Sequence, residues 1–352
     1  MIKILYGLFA CVFFAPCVLA WNAEGHMVVT QIAYNHLSPQ VKARCDTLIA
    51  VMLTNSSVGT SNFVTASVWA DDFKTPLGTA IWHYIDLPFS LDGTPTNGVG
   101  AAAFDVVRAI NLSIATLQNN AQTVSNQAVS LRYLLHFVGD IHQPLHCSTA
   151  VSAAKPGGDA GGNSFSITGN WNNLHSLWDA GGGYLSDSVS RPLNAAGQAT
   201  LSNKVAAIEA DFPYVPNNGP IPNPMDWAQE GVGLAQTVSY VGITQNSTPS
   251  TNYLNTATAT TEQRMALAGH RLADLLNAVL APGPIVLSSV VITNGSFQFS
   301  WSASPAATYH IQAKTNLNDP TWTELTSITA ASNSVSFSEA PAPARRFYRV
   351  VQ

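Results

Sequence analysis

The chain carries nine histidines, and eight of them fall before residue 280. Their spacing says more than their number. In LRYLLHFVGDIHQPLH, residues 131–146, His136 and Asp140 stand four apart. On a helix such a pair lies on one face, one turn apart, and both side chains can reach one metal ion. Pro144 disfavours helix at Gln143, so the helix is expected to end there and to leave His146 free to face a different ion. In NLHSLWD, residues 173–179, His175 and Asp179 repeat the spacing. Neutral imidazole and carboxylate are ligands that zinc accepts. A single His/Asp pair on a helix is more often a surface hydrogen bond; two pairs, with further histidines beside apolar residues, favour metal. TASVWADDFK (65–74) offers Asp71 next to Asp72, and AIWHYIDLPF (80–89) offers His83 between Trp82 and Tyr84. A lone buried histidine is commonly a satisfied core residue. A carboxylate as close to Trp69 as Asp71 needs a partner, and a metal is one answer. His142, two residues past Asp140, points away from that face and reads as packing. His36, His270 and His310 have no metal-spaced partner.

The elements that must position these residues are mainly helical. Helical periodicity runs through residues 24–280, clearest over Val124–Gln143, Trp227–Val241 and Thr261–Leu280. Ala281-Pro282-Gly283-Pro284 breaks the last helix, which makes 281–285 a linker. Beyond it, Val290-Val291-Ile292 and Ser296–Trp301 flank an Asn294-Gly295 pair, a hairpin-turn signal. Short strands continue to the end. Residues 286–352 therefore read as a small all-β sandwich domain, which resembles the fibronectin-type-III-like C-terminal modules of secreted bacterial enzymes.

The first twenty residues, MIKILYGLFACVFFAPCVLA, have a positive n-region at Lys3, a short apolar run and a small residue at Ala20. That is a signal peptide over 1–20 rather than a membrane helix. Anchoring through Cys11 or Cys17 is disfavoured, because Cys11 follows Lys3 too soon and Pro16 precedes Cys17. Cleavage after Ala20 leaves Trp21 as the new N-terminus of a secreted or periplasmic protein. No later stretch is long and apolar enough to span a bilayer. Cys45 and Cys147 remain, and an oxidising compartment would allow a disulfide between them.

Charged residues are only 10% of the chain and hydrophobic ones 46%, which excludes a disordered chain and a basic nucleic-acid binder. Residues 21–282 hold 10 Lys/Arg against 17 Asp/Glu, a net of −7, and residues 283–352 hold 4 against 3, a net of +1. A protein that grips a long duplex would cluster Lys and Arg. Attraction for phosphate in the larger part must have another source. GGDAGGN (157–163) is glycine-rich but lacks the Gly-Lys-Ser/Thr of a phosphate-binding P-loop.

Taken together, Trp21…His26, Trp69-Ala70-Asp71, His83-Tyr84-Ile85-Asp86, His136-x-x-x-Asp140-x-x-Gln143-Pro144-Leu145-His146 and Asn173-Leu174-His175-x-x-x-Asp179 resemble the single-strand-specific, three-zinc nucleases of fungi and plants (nuclease S-one/P-one type). The resemblance covers residues 21–280 and implies a zinc-dependent nuclease domain with the helical fold shared by these enzymes and zinc-dependent phospholipase C. It implies three Zn2+ ions. Asp71, His83, His136 and Asp140 would hold the first. Trp21, through its free α-amino group and carbonyl, would hold the second with His26 and a bridging Asp140. His146, His175 and Asp179 would hold the third.

The implied chemistry is attack by a zinc-activated hydroxide on phosphorus, with Asp71 and Asp140 as the central catalytic carboxylates. The implied substrates are single-stranded DNA or RNA and 3′-nucleotides, the products 5′-phosphates. Three zinc ions would bring +6 against the −7 of this part, so a metal charge in the cleft could replace a basic surface. Four substrate contacts carry over. Tyr84 stands where the family stacks an aromatic, mostly Phe, on the base. Asp86 matches the base-binding carboxylate. Lys74 stands where the fungal enzymes have Arg, keeping the charge without the fork. Asn163 falls in a Gly-Gly-Asn near the cleft. Two other readings compete: a zinc-dependent phospholipase C, and a secreted binding protein whose hydrolase has been retired. The β domain is expected to bind a surface or another protein, and the chain to act as a monomer.

Overall fold

A helix that is mostly apolar belongs inside a domain, and Leu131, Leu134, Leu135, Phe137 and Val138 give that character to the segment that carries His136 and Asp140. In the computed structural model, which describes residues 21–51, 58–100, 102–186, 189–217, 219–220, 223–281, 283–293, 295–304, 307–340 and 346–352, this segment is the central helix. The signal peptide read in residues 1–20 lies outside the described residues.

The helices are α1 (Ala23–Asn35), α2 (Pro39–Ile49), α3 (Trp69–Leu77), α4 (Val106–Gln118), α5 (Val124–Asp140), α6 (Leu174–Asp179), α7 (Ala195–Asp211), α8 (Pro224–Leu234) and α9 (Thr251–Val279). Helix α5 starts at Thr123, whose side chain accepts from the Asn126 N–H. It buries Leu131, Leu134, Leu135, Phe137 and Val138 against α1, α2, α4 and α9.

Helix α5 stops at Asp140 rather than at Gln143. After Asp140 the backbone tightens: His142 N–H donates to Gly139 O at 3.0 Å and Gln143 N–H to Asp140 O at 3.0 Å, the three-residue pattern of a helix end. Pro144 then opens a short 3₁₀ turn to His146.

Helix α9 begins ten residues before the expected Thr261, at a Ser250 cap that accepts from the Tyr253 N–H. Its first third, TNYLNTATAT, shows little apolar periodicity because it buries only Tyr253 and Ala257. Helix α8 begins three residues before Trp227, at Asn223-Pro224, and passes into a π-helical turn at Ala235–Ser239. Helix α1 lies against α9 at Gly269, where a Cβ would come within 2.5 Å of the Ile32 side chain.

Two short strands, β1 (Leu87–Ser90) and β2 (Ser148–Val151), pair in parallel. Each follows a histidine, His83 or His146. Ile85 N–H donates to His146 O at 2.8 Å, so this pair sets the two histidine loops side by side.

Residues from 287 onward form β3 (Leu287–Thr293), β4 (Ser296–Ser302), β5 (Thr308–Lys314), β6 (Thr323–Thr329), β7 (Ser334–Glu339) and β8 (Phe347–Val351). They make two three-stranded antiparallel sheets, ordered β3-β4-β7 and β6-β5-β8. The β3–β4 hairpin closes at the Thr293–Ser296 pair; Asn294 of its expected turn lies outside the described residues. Phe299, Trp301, Tyr309, Ile311 and Val335 fill the space between the sheets. No helix among the described residues is long and apolar enough to cross a membrane.

Cys45 and Cys147 are free thiols, contrary to the disulfide that export would allow. Each is buried in its own packing site. Cys147 Sγ lies 3.1 Å from Ile141 O, against Gly231 of α8, and Cys45 sits within α2.

Trp301 has no exposed surface, and truncating such a core residue typically removes about 3–5 kcal/mol. Trp301→Ala is expected to unfold the β part at much lower urea, followed by proteolysis within residues 286–352; unchanged protease resistance would refute its role as the core anchor.

Candidate metal centre

Four side chains from three elements converge at the C-terminal end of α5. Asp71 comes from α3, His83 from a 3₁₀ turn before β1, and His136 and Asp140 from α5 itself. Asp71 Oδ1 lies 3.6 Å from His83 Nδ1 and 3.7 Å from His136 Nε2. Asp140 Oδ2 lies 3.1 Å and 3.2 Å from the same two nitrogens, which are 3.0 Å apart. Ligands about 2.0 Å from a tetrahedral zinc ion stand about 3.3 Å from one another, so this spacing fits the donors of one zinc. The neighbouring Asp72 turns outward to Arg191, at 2.6 Å.

His26 of α1 joins the group. Its Nε2 is 3.4 Å from Asp140 Oδ1, and its ring stacks on His136 at 3.8 Å. The three donors of His26, Asp71 and His136 also fall within 4.8 Å of one another. Trp21 is fully buried at the head of α1. Asn22 holds it there: the Asn22 side chain caps the helix at Gly25 N–H, its backbone N–H donates to Asp179 O at 3.2 Å, and its amide donates to Leu185 O at 3.1 Å. A second group forms beside the first. His146 Nε2 lies 3.7 Å from Asp179 Oδ1, and His175 Nε2 lies 3.5 Å from Asp179 Oδ2.

The surroundings prepare these donors for a cation. His136 Nδ1 is 2.6 Å from Ser67 O, His146 Nδ1 is 2.9 Å from His83 O, and His175 Nδ1 is 2.6 Å from Gly161 O. A carbonyl can only accept, so each Nδ1 carries a proton and each Nε2 faces the cluster, where a cation would displace any proton it holds and take its lone pair. Gln143 donates to Asp179 Oδ1 at 2.7 Å and so orients that carboxylate. Neither oxygen of Asp140 and neither ring nitrogen of His26 has a hydrogen-bond partner of acceptable geometry, although all are buried. Buried polar atoms left in that state are destabilising, and a bound divalent cation would satisfy them.

The protonation preferences follow from the same packing. Burial pushes the Asp140 carboxyl up, but His136 and His83 outweigh it and hold the group well below the usual carboxylate range. Burial, with His136, lowers His26 to about 3. Burial pulls His146 down, but Asp179 and Asp140 carry it up to about 9.

The expected substrate contacts ring these clusters. Lys74 Nζ is 2.9 Å from Asp71 Oδ1, so it neutralises a cluster carboxylate. Tyr84 and Asp86 are half-buried. Burial and Asp159, opposed by His146, raise Asp86 to about 6. Asn163 uses its amide nitrogen on Ala160 O at 2.9 Å, within the loop that supports His175.

Other residues of the site escape a reading by donor type. Gly139 is one: a Cβ there would stand 2.9 Å from His26 Nδ1. Gly25 is another, where a Cβ would meet the Trp21 side chain at 2.7 Å. A glycine inside a helical ligand motif is unfavourable for the helix, and that is the signal that could have revealed both. Buried Asp159, which accepts from Ala150 N–H at 2.9 Å and from the Tyr240 hydroxyl at 2.6 Å, carries no such signal. His142 bonds Val138 O at 2.7 Å and Arg271 Nη1 at 3.0 Å, away from the clusters.

A helical body of this kind, with buried histidine and carboxylate clusters, has the architecture of a hydrolase. More particularly, the chain belongs to the S1/P1 nuclease family, whose model matches residues 21–281. It is 28% identical to Nuclease P1 of Penicillium citrinum over 284 residues, covering 74% of this chain and 97% of that one. It is 29% identical to Endonuclease 4 of Arabidopsis thaliana over 297 residues, covering 76% and 91%. It is 26% identical to Nuclease S1 of Aspergillus oryzae over 289 residues, covering 75% and 93%. The β part lies beyond the family match, and the match favours a nuclease over a phospholipase C.

Gly139→Ala is expected to displace the His26 ring. Overpacking of this kind costs about 1–3 kcal/mol, read in a urea melt, and hydrolysis of nucleic acid should fall about 10–100-fold. Wild-type activity in that variant would show that the position of His26 is not critical.

Proposed function

We propose that the chain is a secreted, zinc-dependent phosphodiesterase that cuts single-stranded DNA or RNA to 5′-phosphate products and releases phosphate from 3′-nucleotides. The observation that carries this reading is the donor geometry at the end of α5, three buried donors and the partly buried Asp71 at the spacing of tetrahedral ligands. Family membership supports it. Asp71, His83, His136 and Asp140 would hold one ion; His26, Asp140 and the amino terminus of Trp21 a second; His146, His175 and Asp179 a third. Zinc bound there supplies a water of lowered pKa and positive charge against the phosphate.

The chain's own residues would do the rest. Asp140, with both oxygens turned to histidines, would bridge the first two positions. Lys74 would balance Asp71 and lend its positive charge to the phosphate. The Tyr84 ring would stack on a base, an interaction tolerant of sequence. Asp86 would accept a hydrogen bond from the base edge. Asn163 would offer its second amide N–H to phosphate. A site built to seat one unstacked nucleotide, in a part with net charge −7, suits single strands better than duplexes. The apolar run of residues 1–20 supports export.

Cleavage after Ala20 would then complete the centre, because an amide nitrogen in place of the Trp21 amine has no lone pair to give. A zinc-loaded form beginning at Trp21 should cut single-stranded DNA, and a form with one extra residue before it should lose that activity together with bound zinc. Equal activity in the two forms would discard the amine as a ligand while leaving the nuclease.

Asp86 supplies a pH test. Its carboxyl loses its proton near pH 6, and only the ionised form accepts from a base N–H without restriction. KM for a 3′-nucleotide should therefore fall as pH rises through about 6, and Asp86→Asn should flatten that dependence. A profile unchanged in the variant would remove Asp86 from base recognition.

A further inference from the structure

The fold gathers a further set of metal donors from residues that sequence spacing leaves unrelated. His36 caps the C-terminal end of α1, Glu209 lies in the last turn of α7, and His270 lies in the middle of α9. Their donor atoms fall within 4.8 Å of one another. We propose that His36, Glu209 and His270 form a zinc site separate from the clusters at the end of α5. It is ten residues along α1 from His26, about 15 Å at the helical rise per residue.

Three observations carry the proposal. The first is the donor set. Two imidazoles and one carboxylate are three protein ligands that zinc accepts while keeping a fourth position open. The second is an unmet group. His36 Nε2 contacts Glu209 Oε1, which an ordinary ion pair would explain, but that pair leaves out His270. The Nε2 of His270 is buried with no hydrogen-bond partner, so a third partner is called for.

The third observation is the setting. The Tyr214 ring stacks on His36 at 4.1 Å and leans on His270 at 5.2 Å, which limits the freedom of both imidazoles. The Tyr214 hydroxyl donates to Asp274 Oδ1 at 2.6 Å, so a second carboxylate stands close by. Asn35 Nδ2, 3.4 Å from Glu209 Oε2, helps to orient the Glu209 carboxylate. Arg271, the nearest cation in sequence to His270, points instead to Glu230 at 2.7 Å. Among the described residues, no Lys or Arg forms an ion pair with Glu209 or Asp274. A cavity of about 370 Å³, lined by Asn217, His270 and Asp274 among others, gives a route in from one side.

An ion here would clip the C-terminal ends of α1 and α7 to the body of α9. Helix α1 carries His26 near its start, so the clip would act as a brace for the nuclease part rather than as a place of chemistry.

The test uses the zinc-loaded full chain and zinc alone as the probe. Metal content by elemental analysis should be lower by one equivalent in His270→Gln and in Glu209→Gln than in the wild type. Cleavage of single-stranded DNA should be unchanged, and the melting temperature in excess zinc should fall by several degrees because a ligand that binds only the folded state no longer contributes. The comparison is a difference between variants, so it stands whatever number of ions the other clusters hold. Equal zinc content in all three proteins would overturn the site. Anomalous scattering at the zinc edge from crystals of the unmutated chain provides a second reading free of any folding defect. A peak between the three side chains supports the site, and its absence at millimolar zinc refutes it.

Discussion

Asp140 places a carboxylate with no exposed surface at the end of the central helix, and the surrounding architecture answers that charge. An isolated ionised group in such a place would be strongly destabilising. Here His83 and His136 approach one oxygen and His26 the other. Those histidines come from three elements, so α1, the turn before β1, and α5 must meet at one point. The position of α1 in turn depends on small residues. Gly139 admits the His26 ring, Gly25 admits the Trp21 side chain, and Gly269 lets α1 lie close on α9.

The second cluster depends on the first through short connections. The turn after α5 carries His146 only a few residues past Asp140, and the β1–β2 pair holds His146 beside the His83 loop. His83 therefore contributes twice, with its ring to the first cluster and with its carbonyl to the orientation of His146. Asn22 closes the circuit by tying the head of α1 to the Asp179 backbone. Loss of any one link would loosen both groups, which is the physical reason for so many backbone carbonyls committed to histidine Nδ1 atoms.

The β part is built on a different logic. Its interior is a stack of aromatic and aliphatic residues, Phe299, Trp301, Tyr309 and Ile311 among them, with no buried ionisable cluster among the described residues. The helical part tolerates buried charge because the charges meet one another. The β part avoids the question by placing His310 and Glu324 on its surface, 2.8 Å apart.

Local order was enough to determine much of this protein. The four-residue spacing of His136 and Asp140, and of His175 and Asp179, puts each pair on one helical face wherever the helices go. The alternation in Phe297-x-Phe299-x-Trp301 and the Asn-Gly pair before it define a hairpin without reference to anything distant. Helix ends were less legible, since α5 yields to tighter turns at Asp140 and α9 grows from a serine cap through a stretch with little apolar pattern. Local order does not distinguish the two adjacent aspartates; the tertiary structure does, with Asp71 facing the histidines while Arg191, more than a hundred residues away, takes Asp72. Only it brought His36, Glu209 and His270 together, and only it kept Cys45 and Cys147 in separate packing sites. Pairs within one turn of helix are set by covalent geometry, whereas pairs across helices depend on how whole faces pack, and that information is spread over residues that never adjoin in sequence.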